Sequence, residues 1–350
     1  MNQYSALDKT LHRQFLGGTI LSQYLYQRLL DKSTDYPSPS NNQHLFITGL
    51  ARAGTTALLN QLYSTSLYAS ICYKHAPFVL SPRLATLASA IPAKNLQPYE
   101  RYHGDGILIS ANSPECLDEP YWIKSDPSYY LAPLSSRKIY DSSVLRGYDY
   151  LLDQYARAQH KNFTLVKNNN NHVRLPQLVK HFPKSTFLVL FRHPVAHIAS
   201  LCKAHHTFLR LHEQDQFISE YMKLFGHREF GFYRCKFSYE VEDQAFESKI
   251  NIHSTISDPN YFLDQWLRTH TWFLNSSIYD NHNVFCLCYE LLCKEPSYLE
   301  ILFKQLRIHS FTRTFRSSNA EIPLSVSGLD KYRLNDALNI YDKLLNYSSI

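Results

Sequence analysis

No stretch of the sequence approaches the ~18 consecutive apolar residues of a membrane-spanning helix. The opening residues, MNQYSALDKTLHRQF, also lack the apolar core of a secretory signal. A soluble, cytoplasmic protein is the expectation. Charge of one sign is nowhere concentrated: 36 Lys and Arg against 30 Asp and Glu leave a formal net charge of +6 without a basic tail. A nucleic-acid binder carries a basic stripe, so no nucleic-acid partner is expected, and the small excess suits a small anionic ligand. The seven cysteines, at 72, 116, 202, 235, 286, 288 and 293, are odd in number and form no disulfide-like framework, so free, buried thiols are expected. Internal repeats, low-complexity tracts and a Gly- or Pro-dense divide through the middle are all missing. With 350 residues, 44% of them hydrophobic, the chain is neither a disordered tail nor a small stapled scaffold.

What is present reads as one α/β architecture. Residues 7–32 show helical spacing on both sides of Gly17-Gly18, and the linker-like TDYPSPSNNQ follows. This gives an N-terminal helical segment and linker over 1–40 and an α/β domain over 41–350. Short runs rich in strand formers occur at LFITGL, 66–73, 163–167, 186–191 and 284–290, with helical patterns between several of them. Near-continuous apolar strands of this kind predict a parallel sheet covered on both faces. Inserts at about 80–160 and 203–262, rich in Tyr, Phe and His, are expected above the carboxyl ends of the strands, where open α/β sheets bind ligands.

The first strand runs into GLARAGTT, in which Gly49 and Gly54 have the G-x-x-x-x-G spacing of a phosphate-cradling loop before a helix. Backbone N–H groups there, with the helix dipole, can hold one anion. A nucleotide kinase or ATPase would follow the second glycine with Lys; here Thr55 and Thr56 follow, and Arg52 stands inside the loop. A second anion site is suggested by STFLVLFRHPVAHIASL, a buried strand ending in Arg192, then Pro194 opening a helix, with Ser200 about 9 Å along its axis. Arginine at a strand end and a hydroxyl on the adjoining helix can grip a phosphate from two sides. An ATPase would more often place a metal-binding Asp at such a strand end.

Together these motifs resemble the sulfotransferases that use 3′-phosphoadenosine 5′-phosphosulfate (PAPS), and are most similar to the arginine-loop branch that includes bacterial and tyrosylprotein enzymes. FTLVKNNNNHVRLPQLVKHFPK and VFCLCYELLCKEPSYLEILFKQLRI resemble further segments of that family in order, so the likeness covers about 45–310. It implies a P-loop NTPase-like parallel sheet flanked by helices, with helical inserts. It implies that Gly49, Ala51, Arg52, Ala53, Gly54, Thr55 and Thr56 hold the 5′-phosphosulfate, and that Arg192 and Ser200 hold the 3′-phosphate. PAPS is then the co-substrate, with no metal required, and the acceptor is a small molecule, carbohydrate, lipid or peptide.

Sulfuryl transfer needs a cation at the leaving phosphate oxygen and a base for the acceptor proton. Arg52 is the candidate cation. His75, after the second expected strand, is the candidate base. Asp105, Glu115, Asp118 and Glu119 are its acidic rivals, and Asp105, Glu115, Glu119 and Lys167 are candidates for the acceptor pocket. Asn168, Asn170 and Asn171 fit either ligand contact or a plain turn. His193 and His197 have the spacing of a metal pair without a convincing third ligand, and Cys286 and Cys288 should face one side of a strand as core. Arg313, Arg316, Lys331 and Arg333 either close over the 3′-phosphate or form a solvated face. The alternatives to the sulfotransferase reading are a nucleotide-dependent kinase or NTPase and a non-catalytic nucleotide-binding relative.

Overall fold

The computed structural model describes residues 4–36, 43–90, 97–102, 104, 106–115, 117–239, 258–309, 315, 321–323 and 325–348. Helices α1 (Ala6–Leu16) and α2 (Ile20–Ser33) lead into strand β1 (Leu45–Thr48) and helix α3 (Thr55–Tyr63). The first insert carries α4 (Pro82–Ser89), the two-residue strands β2 (Tyr99–Glu100) and β3 (Leu108–Ile109), α5 (Glu119–Ser125), β4 (Leu134–Ser135) and α6 (Ser142–Ala158). Then come β5 (Leu165–Lys167), α7 (Asn171–His181), β6 (Thr186–Phe191), α8 (Pro194–Gln214), α9 (Gln216–Leu224) and β7 (Phe237–Ser238). The last described part holds α10 (Pro259–Asn275), β8 (Val284–Cys288), α11 (Tyr289–Lys294), α12 (Pro296–Gln305) and α13 (Lys331–Tyr347).

The central sheet has the order β5-β1-β6-β8, all pairs parallel. Because side chains alternate along a strand, each strand supplies both faces. Phe46, Val166, Phe187 and Val189 point into one core with Leu29 of α2, Leu151 and Leu152 of α6 and Leu178 of α7. Leu45, Ile47, Leu165, Leu188 and Leu190 point into the other with Leu58 and Leu62 of α3 and Leu299 and Leu302 of α12. A third core joins α8, α10 and α13 beyond the β8 edge and takes Cys286 and Cys288, both buried. Each large apolar side chain so buried contributes about 1.5–3 kcal/mol, which is why the four strands of the central sheet read as near-continuous apolar runs. The six described cysteines form no disulfide.

The run at 66–73 departs from expectation. Only Ala69 bridges, in parallel, to Thr164 beside β5, while Cys72 bridges antiparallel to Pro114. The Gln159 side chain takes both the N–H (3.2 Å) and the carbonyl (2.9 Å) of Ser70, so side-chain bonds replace the ladder there. Among the described residues no helix is long and apolar enough to cross a membrane.

Candidate functional site

Loop 49–56 leaves the carboxyl end of β1. Gly49 and Gly54 have φ of 136° and 95°. A Cβ would strike the Leu190 carbonyl oxygen at the first and the Tyr289 ring at the second, so both positions require glycine. Arg52 also takes a left-handed φ, 74°, at a cost of about 1 kcal/mol or more that its surroundings offset. Its carbonyl accepts from Arg192 Nη1 (3.3 Å) and its Nε donates to Ser200 Oγ (3.1 Å). The preceding carbonyl, of Ala51, is held by His197 Nε2 at 2.7 Å. Burial pushes the pKa of His197 down to about 3, against the raising effect of that bond, so the ring is neutral and donates its N–H.

The two anion motifs, remote in sequence, thus meet. Arg192 leaves the end of β6 with its guanidinium 4.9 Å over the Tyr289 ring and 3.9 Å from Glu290 Oε1. Pro194 opens α8, and Ser200 lies in its second turn. No side chain caps the N-terminus of α3, leaving its first-turn amides at 55–57 directed beyond the helix end. The hydroxyl of Thr55 donates to Asn169 Oδ1 (3.0 Å), and that of Thr48 to the Asn168 carbonyl (2.9 Å), which ties the loop to the end of β5.

A cavity of about 800 Å³ opens at this end of the sheet. Ala51, Arg52, Gly54, Thr55, Thr56, Arg192 and Ser200 line it, as do Glu115 and Lys167. Gly49 and Ala53 do not. Ala53 is fully buried and spends its N–H on the Leu50 carbonyl (3.1 Å), so its contribution is to the shape of the loop. Five cations among the described residues (Arg52, Arg101, Lys167, Arg192 and Lys203) face three carboxylates (Glu115, Glu229 and Glu321) across this cavity. That balance favours a polyanion.

Residues 44–298 match the family model described as the sulfotransferase family. The chain belongs to that family. It is similar to the solved sulfotransferase STF9 from Mycobacterium avium, with a TM-score of 0.51 and 15% identity over 98% of this chain and 84% of that one. At that identity the likeness concerns the fold, a P-loop-like parallel sheet flanked by helices. The sulfotransferase STF1 from Mycobacterium tuberculosis H37Rv aligns with a TM-score of 0.48 and 16% identity over 99% of this chain and 84% of that one. No curated protein matches.

On the acceptor side of this sulfotransferase the structure corrects several expectations. His75 is 3% exposed and does not line the cavity; its Nδ1 accepts the Cys72 N–H (2.9 Å) and its ring packs on Tyr155. Burial, with Lys74 nearby, lowers its pKa to about 4, so it is a neutral turn-closing residue without access to a ligand. Glu119 is wholly buried, gripped by Arg174 through Nη2–Oε1 (2.5 Å) and Nη1–Oε2 (2.9 Å), and accepts from Tyr129 Oη and Asn168 Nδ2 (both 2.6 Å). Asp118 is buried beside it, accepting from Tyr148 Oη at 2.7 Å, and desolvation followed by the Glu119 charge raises its pKa. The acidic stretch therefore builds a support behind the site; its helix starts at Glu119, well after Pro114. Asp105, Arg313 and Arg316 lie outside the described residues. Arg333 pairs with Asp264, and neither it nor Lys331 lines the cavity.

Of the asparagine run, the cavity-lining member is Asn169, which the sequence reading passed over, while Asn168, Asn170 and Asn171 are buried in the support. His193 packs on Tyr341 while His197 faces Ala51, so the two do not converge. No group of three or more described His, Cys, Asp or Glu side chains is arranged to hold a metal ion. Lys203, three residues after Ser200 on one helix face, was within reach of sequence reasoning. Arg101, His227 and Glu229, delivered by insert loops, carried no such signal.

Proposed function

We propose that this sulfotransferase transfers a sulfuryl group from PAPS to a hydroxyl or amine acceptor. The observation that carries the reading is the Arg52–Ser200 contact, 3.1 Å, which joins the loop after β1 to the helix after β6 on the wall of one cavity. Two anion-binding elements side by side suit a nucleotide with phosphate groups at both its 5′ and 3′ ends. The fit rests on the donor set: uncapped amides of α3, the Thr56 hydroxyl and the Arg52 guanidinium for one anion, and Arg192, Ser200 and Lys203 for the other. When bound, PAPS supplies an activated sulfuryl group on a phosphate oxygen. Arg52 then neutralises charge developing on that oxygen, a role preorganised by its fixed left-handed backbone. Thr55 stands where a kinase would carry its phosphate-binding lysine, which argues against ATP.

The test is turnover of PAPS to 3′,5′-adenosine bisphosphate with an acceptor panel of phenols, amines and sugars. Arg52→Ala should lower turnover by about 10²–10³-fold while bisphosphate affinity falls less than tenfold. Phosphoryl transfer from Mg·ATP to any of these acceptors would overturn the reading.

A further inference from the structure

Beside the main cavity lies a side chamber of about 110 Å³. Five tyrosines wall it, Tyr4, Tyr73, Tyr99, Tyr102 and Tyr221, and Phe208, Ile218 and Met222 complete its apolar face. Tyr73, Arg101, His227 and Phe230 belong to both cavities, so the chamber opens onto the proposed sulfuryl site at these four residues. A dry cavity of about 150 Å³ holds benzene; this volume suits one ring, with a substituent reaching through the shared wall. Ring faces contribute large apolar contact area at small entropic cost.

The segment after α9 explains how His227 comes to stand there. Arg228 points inward and donates to the carbonyls of Tyr129 and Ala132 (2.8 Å for the second), leaving His227 and Glu229 on the cavity side. Gly226, at φ 68°, starts the segment, its carbonyl held by Asn170 Nδ2 at 3.0 Å and its missing Cβ leaving room for the Glu119 side chain. His227 Nδ1 lies 3.4 Å from Glu229 Oε2, and Glu229 Oε1 accepts from Asn169 Nδ2 at 3.2 Å, the same asparagine that accepts from Thr55. At 3.4 Å the pair is within ion-pair range but makes no hydrogen bond, and buried Glu229 Oε2 has no hydrogen-bond partner among the described residues; a small turn of the imidazole would aim Nδ1–H at that oxygen and present the Nε2 lone pair on the other side of the ring.

We propose that His227, oriented by Glu229, takes the acceptor's proton, and that the acceptor is a hydroxyl borne on a flat apolar group that fills the tyrosine chamber. This rests on the reading of the main cavity as a PAPS site. The acceptor oxygen forms the new O–S bond, the S–O bond to the bridging phosphate oxygen breaks, that oxygen leaves on 3′,5′-adenosine bisphosphate, and the hydroxyl proton passes to His227 Nε2. Glu115, another carboxylate of the main cavity, is committed to Lys167 (2.6 Å) and Arg101 (3.4 Å) and is correspondingly weak as a base. Glu229 accepts from Asn169 Nδ2 at 3.2 Å, a hydrogen bond that favours its ionised form against the raising effect of desolvation.

The experiment uses phenol as the acceptor probe and 3′,5′-adenosine bisphosphate as the nucleotide probe on the full chain. His227→Gln should lower kcat by 10²–10⁴-fold with bisphosphate Kd within twofold. Glu229→Gln, a positioning change, should lower kcat about tenfold at unchanged KM and leave bisphosphate Kd within twofold. Ile218→Trp should fill the chamber and raise KM for phenol at least tenfold without changing bisphosphate Kd. Transfer by His227→Gln within threefold of wild type, or bisphosphate binding without phenol binding, overturns the proposal while leaving the PAPS site standing. Failure of the wild type to bind bisphosphate removes the PAPS reading and this one with it.

Discussion

Lowering the pH from 7 toward 5.5 should strongly destabilise this sulfotransferase, because its interior holds several histidines that have to stay neutral. His75, His172, His197, His205, His212 and His270 are all at most 4% exposed. Burial lowers their pKa values to about 4 for His75, His172 and His212 and to about 3 for His197, His205 and His270. The unfolded chain protonates its histidines near 6.5. Each group therefore contributes full stability above pH 6.5, which is lost as the pH falls toward the folded value. Between pH 7 and 5.5 each loses about 1 kcal/mol, so the six together lose several kcal/mol, a large part of the 5–15 kcal/mol total of ordinary proteins. Urea unfolding followed by tryptophan fluorescence should show stability falling by about 5 kcal/mol between pH 8 and pH 6. His212→Gln should flatten that dependence by about one proton. Stability constant within 1 kcal/mol over the same range would refute the reasoning, since it would mean that these rings titrate in the fold as they do in the unfolded chain.

Other predictions follow from the support behind the site and from the loop. Glu119→Ala leaves Arg174 buried and unpaired, at a cost of about 3–5 kcal/mol, so Tm should drop by roughly 6–20 °C. Adding Arg174→Met should restore most of it, and a double variant as unstable as the single one would contradict the pairing. Gly54→Ala forces an alanine to φ 95° against the Tyr289 ring on which Arg192 rests. Calorimetry should show bisphosphate affinity reduced at least tenfold, and an unchanged Kd would show that the loop tolerates a Cβ there.

The sheet was legible because its strands are buried on both faces, so LFIT, LVK, TFLVLF and VFCLC stand out as apolar runs whatever the context. The loop and Arg192 were legible because glycine spacing and a strand-end arginine are local signals. The acceptor side was not. Glu119 looked like a pocket carboxylate because sequence shows a charge but not the Arg174 that meets it 55 positions later. His75 looked like a base because position after a strand does not reveal that Nδ1 closes a turn on Cys72. His227 and Glu229 owe their placement to Arg228 binding carbonyls some 96 to 99 positions earlier, a long-range contact with no local pattern.

The central claim is that loop 49–56 and the Arg192–Ser200 segment form one site for a nucleotide bearing phosphate at both ends. Calorimetric titration with 3′,5′-adenosine bisphosphate, 5′-AMP and Mg·ATP, on wild type and Arg192→Ala, tests it most directly. Losing a charge-assisted contact of about 1.5–3 kcal/mol should weaken the bisphosphate by roughly 10–150-fold in Arg192→Ala and leave 5′-AMP within threefold. Equal weakening of both nucleotides, or tighter binding of Mg·ATP than of the bisphosphate, would contradict the account.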